Sequence, residues 1–145
     1  ANTDIYGGGG IFNAYTLTTS NHIKFAPVVV HEFGHSFAGL ADEYFYVVDV
    51  FENTGTNQIE PWEQNITSLA NFESKWKNML QSETPIPTEA KDLSKYRIGV
   101  YEGLKDNGLY IPSHDCRMKT NEAKDFCPVC ERAINNLIQF YIQEQ

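Results

Sequence analysis

The chain has 145 residues, with 11 basic and 19 acidic side chains and a net charge of −8. Its length allows one domain with a buried core, and its acidic balance, with no basic cluster, argues against nucleic acid as a partner. No apolar run approaches the ~20 residues of a membrane span, and neither a signal peptide nor an initiator methionine is present, so the sequence reads as a mature product or an excised piece, for which export is permitted but not shown.

In chain order, residues 2–10 begin as a short strand and end in the four glycines Gly7–Gly10. A second strand is predicted over Ile11 to Thr19, rich in β-branched and aromatic residues. An apolar run from Phe25 to Val30 leads into a helix predicted from Ala26 to Ala38, with Pro27 tolerated in its first turn. Beyond it come a polar turn near Asn53–Asn57, a helix around Leu69–Gln81 and a proline-bearing loop at Pro85–Pro87. The chain ends in an amphipathic helix that starts at Cys127-Pro128-Val129-Cys130 and carries Ile134, Leu137, Ile138, Tyr141 and Ile142.

Residues 31–35 read HEFGH. On a helix, positions i and i+4 share a face, so His31 and His35 present ring nitrogens to one point, as a Zn²⁺ site requires. Glu32 lies about 100° around the helix from His31, badly placed as a ligand but well placed to reach a water at the metal. Two histidines and an acid in a segment this apolar are costly to bury unless something pairs with them. The pattern is the zinc-peptidase signature, with Glu32 as general base.

A catalytic zinc takes three protein ligands and leaves a position open. A continued helix would carry residue 42 about 16 Å beyond His31, so the chain must turn back. Gly39 is where a left-handed residue ends the helix. Asp42 then supplies the third ligand, with Glu43 as the alternative. A glutamate ligand on a second helix would instead come from Glu52 or Glu60, though neither sits in a suitable motif.

The Gly39-Leu40-Ala41-Asp42 step resembles the metzincins, in which a glycine turn after HExxH precedes the third ligand by three residues. Here aspartate replaces the usual histidine, and the glycine falls one position later. The longer string HEFGHSFAGLADEY is similar to the IgA-peptidase family of bacterial zinc metalloendopeptidases. NTDIYGGGG at 2–10, EPWEQNIT at 60–67, PIPT at 85–88, RIGVYEG at 97–103, GLYIPSHDCRM and FCPVC agree with it in order.

The resemblance implies an α+β fold, a metzincin-like zincin catalytic domain over 1–145 without its N-terminal strands and first helix. Its divisions would be an edge strand and active-site helix (1–46), a cleft wall (47–113), and a Met-turn with a C-terminal helix (114–145). Met118 is the Met-turn candidate, and Met79 reads as ordinary core. Gly7–Gly10 would lie at the cleft edge, where a peptide substrate adds as a strand. Tyr44, Tyr46 and Tyr101 are unranked candidates for stabilising an oxyanion.

The implied activity is zinc-dependent endoproteolysis of a protein or peptide substrate by a secreted, cell-surface or periplasmic bacterial enzyme, with upstream sequence of the same parent as a partner. An inactive zincin serving as a binding module, or an autolytic fragment, is the alternative.

Three readings compete for Cys116, Cys127 and Cys130. A disulfide from Cys116 to one partner suits an exported enzyme. A structural zinc could use the three thiols with His114. A CxxC at a helix start can also be redox-active. Asn65-Ile66-Thr67 is a glycosylation sequon, which in a bacterial protein carries no meaning.

Overall fold

A computed structural model describes residues 1–44, 59–103 and 108–143. Among these the fold is α+β, with two helices and two small sheets. Strand β1 (Gly8–Ile11) pairs antiparallel with β2 (Tyr15–Thr18), in the register Gly8 to Thr18 and Ile11 to Tyr15. Gly8, Gly9 and Gly10 are therefore strand residues, and Ile11 ends this strand instead of opening the second one.

Helix α1 (Phe25–Ala38) packs on this hairpin. Side chains alternate across a strand, so Gly8 and Gly10 face the helix while Gly9 and Ile11 face away. A Cβ on Gly10 would lie 2.4 Å from the Glu32 carbonyl oxygen, and one on Gly8 2.6 Å from a Glu32 carboxylate oxygen. Only glycine permits this approach. Across the hairpin, Thr16 Oγ1 meets Ser36 Oγ at 2.5 Å, and the Asn13 N–H donates to the Ser36 carbonyl at 2.8 Å. The opposite face carries Ile11, Tyr15 and Leu17, all exposed.

Gly39 ends α1 in the left-handed conformation, φ 59°. Its N–H donates to His35 and that of Leu40 to Gly34, the paired bonds of a glycine-terminated helix. The chain then runs back beneath the helix. Leu40 joins Phe72, Trp76, Val100, Met118 and Val129 in the main core, and Ala41 joins Ile66, Tyr101 and Ile111 in a smaller one.

Strands β3 (Tyr101–Glu102) and β4 (Tyr110–Ile111) form the second sheet, extended by single bridges from Thr88 to Tyr101 and from Thr67 to Tyr110. Helix α2 (Pro128–Gln143) packs on α1. Its first turn buries Val129 and Cys130, and Ile134 rests on the core. Ile138, Tyr141 and Ile142 of the predicted stripe are exposed. No helix among the described residues is long and apolar enough to cross a membrane.

The helix predicted around 69–81 is not continuous. Single 3₁₀ turns at Phe72–Ser74 and Lys77–Met79 flank Lys75, whose backbone leaves the helical region. Phe72, Lys75 and Trp76 are buried and stand at helical spacing. Their partners, however, lie in different directions. The Lys75 ammonium donates to the carbonyls of Pro61 and Glu63, and the Trp76 indole donates to Gly99 at 2.8 Å. The Ser74 hydroxyl meanwhile bonds the Asn71 carbonyl and closes the first turn.

Candidate metal centre

His31 and His35 occupy successive turns of α1 with their Nε2 atoms 3.1 Å apart. The turn at Gly39 brings back Asp42, whose Oδ1 lies 3.0 Å from His31 Nε2 and 3.2 Å from His35 Nε2. The three donor atoms form a nearly equilateral triangle. Donor atoms around a tetrahedral ion with bonds near 2 Å stand about 3.3 Å apart, so the triangle fits zinc with a fourth position open.

Each imidazole is oriented through its other nitrogen. His31 Nδ1 donates to the Arg117 carbonyl at 2.8 Å and His35 Nδ1 to the Leu40 carbonyl at 2.6 Å. A carbonyl only accepts, so Nδ1 carries the hydrogen and, in the neutral ring, Nε2 keeps a lone pair. Two lone pairs and a carboxylate directed at one point repel unless a proton or a cation lies among them. Burial alone would raise the Asp42 carboxyl, but its two histidine partners outweigh that and hold it below the usual carboxylate range. Burial likewise opposes charge on His35, yet the Asp42 carboxylate prevails and the imidazolium is favoured.

Glu32 is buried, with a carboxylate oxygen within 4.8 Å of ring nitrogens on both histidines. Burial raises its carboxyl above the ordinary value, against the pull of the histidines. Met118, fully buried, lies under the helix: a Cβ on Gly34 would stand 2.6 Å from its sulfur. The segment Cys116–Thr120 is a tight turn in which the N–H groups of Lys119 and Thr120 both donate to the Cys116 carbonyl. The Met118 carbonyl accepts from the Glu43 N–H at 2.9 Å, which ties this turn to the segment bearing Asp42. Met79 packs at the edge of the main core, as read from sequence.

Of the other candidates, Glu43 faces away from the histidines towards the cysteines, with Oε1 3.3 Å from Cys130 Sγ. Glu60 bonds Ser68 and the Asn71 N–H, on a loop apart from the centre. Tyr44 lies beside the site, its ring centroid 5.8 Å from that of His31. Burial and the neighbouring Asp42 carboxylate push its hydroxyl up to about 12, so it stays a donor. Tyr101 is buried, and its hydroxyl is committed to the Tyr96 carbonyl. Tyr46 and Glu52, with the turn predicted near 53–57, lie outside the described residues.

Two expectations are corrected. All three cysteines are free thiols, and Cys116 Sγ and Cys130 Sγ are 3.6 Å apart, beyond the ~2.05 Å of a disulfide. His114 packs edge-on against Tyr101, and the fourth potential ligand among the thiols is Glu43.

Asn65, dismissed as a sequon, is fully buried. Its Oδ1 accepts from the Ala41 N–H at 2.8 Å, and its Nδ2 donates to the Ala41 carbonyl at 2.8 Å and to Glu43 Oε1 at 3.0 Å. It clamps the backbone immediately before Asp42. No local pattern in the sequence marks this role, because its partners lie 22 and 24 residues away.

Comparison with known families places the chain among peptidases. A family model described as IgA Peptidase M64 matches residues 1–97, and the chain belongs to that family. The matched residues include α1, Asp42 and Asn65 and end before the cysteines. No curated protein matches the chain.

Proposed function

We propose that the protein is a zinc-dependent endopeptidase in which His31, His35 and Asp42 hold the metal and Glu32 is the general base. The observation that carries this reading is the triangle of donor atoms at 3.0, 3.1 and 3.2 Å, with both histidines oriented through Nδ1. When bound, zinc would supply Lewis-acid chemistry, acidifying a water and polarising the scissile carbonyl.

Glu32 accepts the proton of the attacking water and returns it to the departing amine. Its raised affinity for protons suits that shuttle, since a carboxylate at its ordinary value is a weaker base. The Tyr44 hydroxyl donates to the oxygen on which negative charge develops. Met118 forms an apolar floor beneath the histidines, and the Arg117 and Leu40 carbonyls keep both rings in the ligating tautomer.

Strand β1 runs beside Glu32 and, among the described residues, pairs only with β2. An extended peptide adding along the strand would pass close to the general base. The exposed Ile11, Tyr15 and Leu17 suit burial under an upstream segment of the same parent protein. An exported location belongs to the same proposal.

The reading is tested by incubating the purified protein with a mixed peptide library after chelation and after zinc is restored. Cleavage that disappears with chelation and returns with about one equivalent of zinc at the histidine site supports it. Cleavage indifferent to the metal would refute it, and zinc binding with no cleavage of any peptide would leave the inactive binding module.

A further inference from the structure

Behind the histidine centre a second set of potential ligands converges. Glu43, Cys116, Cys127 and Cys130 each offer one donor atom, and these atoms lie within 4.8 Å of one another. All four residues are at least 98 % buried. Cys130 Sγ stands 3.6 Å from Cys116 Sγ and 3.3 Å from Glu43 Oε1. Around a tetrahedral zinc with bonds near 2.3 Å to sulfur and 2.0 Å to oxygen, those separations would be about 3.8 and 3.5 Å.

Glu43 is the informative member. A carboxylate enclosed by thiols is expensive to desolvate, and its buried Oε2 has no hydrogen-bond partner among the described residues. Oε1 is oriented by Asn65 Nδ2 at 3.0 Å, as ligating carboxylates commonly are. The Cys127 N–H donates to Cys116 Sγ at 3.3 Å, the kind of backbone bond that supports a thiolate. The three cysteines come from two places, Cys116 from the turn before Met118 and the other two from the start of α2.

We propose that Glu43, Cys116, Cys127 and Cys130 bind a second, structural zinc ion. Soft thiolates select zinc over magnesium or calcium, and four protein ligands leave no position for substrate. The ion joins three segments: the stretch after Gly39, the turn at 116–120 and the first turn of α2. Asp42 adjoins one ligand, and Arg117, whose carbonyl orients His31, adjoins another. The second ion therefore holds the parts that shape the first centre. Its existence does not depend on the histidine centre being catalytic.

Elemental analysis and cobalt substitution test the site. The protein should hold two zinc ions per chain and, after exchange for cobalt, show a near-ultraviolet thiolate-to-cobalt charge-transfer band. His31→Ala combined with His35→Ala should keep that band and one zinc. Cys127→Ser should abolish the band. Glu43→Gln, which keeps the three thiols and the side-chain volume, should weaken zinc retention at this site at least tenfold if Cys127→Ser does not fold. A single zinc that vanishes in the double-histidine variant, no thiolate band in the wild-type cobalt protein, or a disulfide among the three cysteines would overturn the site. A single zinc that survives the double-histidine variant would uphold it while refuting the catalytic centre.

Discussion

Asp42 and Glu43 are neighbours in sequence and face opposite sides of the chain: Asp42 Oδ1 lies 3.0 Å from His31 Nε2, and Glu43 Oε1 lies 3.3 Å from Cys130 Sγ. The two side chains diverge where the chain bends at Glu43 and Tyr44, so one short segment contributes to both proposed centres. Its position rests on Gly39 from one end and on Asn65 from the side.

Replacing Asn65 by alanine should expose how much that clamp contributes. The change removes three hydrogen bonds and leaves the Ala41 N–H and carbonyl without their partner in a buried place. Urea denaturation is expected to show a loss of about 2–4 kcal/mol. Unchanged stability would mean that the segment is held by other means.

The glycines of β1 should differ sharply among themselves. A Cβ at Gly10 meets the Glu32 carbonyl at 2.4 Å and His35 Cβ at 2.8 Å, whereas one at Gly9 meets nothing within 4 Å among the described residues. Gly10→Ala should lose about 1–3 kcal/mol because backbone must shift. Gly9→Ala should stay within about 0.5 kcal/mol of the parent protein. Equal effects at the two positions would contradict the packing of β1 on α1.

Zinc binding to the metal-free protein should depend on pH through His35. Burial disfavours its charge, but Asp42 raises its pKa above 6.5, so the metal-free ring holds a proton to higher pH than an ordinary histidine. That proton must leave before Nε2 can ligate. Affinity should therefore fall as pH drops through the raised value, by about tenfold per pH unit for each proton displaced. Calorimetry across pH 6 to 8 in buffers of different ionisation enthalpy would read the proton release directly, and a flat profile would count against His35 as a ligand.

Tyr44→Phe separates transition-state stabilisation from metal binding. Its hydroxyl is a donor beside the centre and supports no described part of the core. Zinc content should be unchanged while kcat falls about 100-fold, the usual effect of removing one oxyanion donor. A normal kcat would return the role to Tyr46 or to a backbone group.

Much of the centre was legible because it is local. The i, i+4 histidines, the adjoining acid and the left-handed glycine that turns Asp42 back all lie within twelve consecutive residues, where helix geometry decides the outcome. The step from Gly39 favours Asp42 over Glu43, but what holds the two side chains apart is not local. It depends on where Asn65 and the cysteines sit, and these are distant in sequence.

The carbonyls of Arg117 and Leu40 escaped for another reason, since a backbone acceptor has no residue type to read. The interrupted helix near Lys75 shows how an amphipathic pattern can sit on a backbone that is not helical. Amphipathic spacing around Met79 reads as one helix, but tertiary partners for the buried Lys75 and Trp76 divide the segment into two turns. The disulfide expectation failed because counting cysteines omits the acid that packs among them.

The most direct measurement of the central claim is Glu32→Ala, assayed in one preparation for zinc content and for peptide cleavage. The side chain lies near both histidine nitrogens without belonging to the ligand triangle. Retention of the full zinc complement with cleavage reduced by at least about 10²-fold is the predicted result. Cleavage at the parental rate with zinc retained would contradict the assignment of Glu32 as the base.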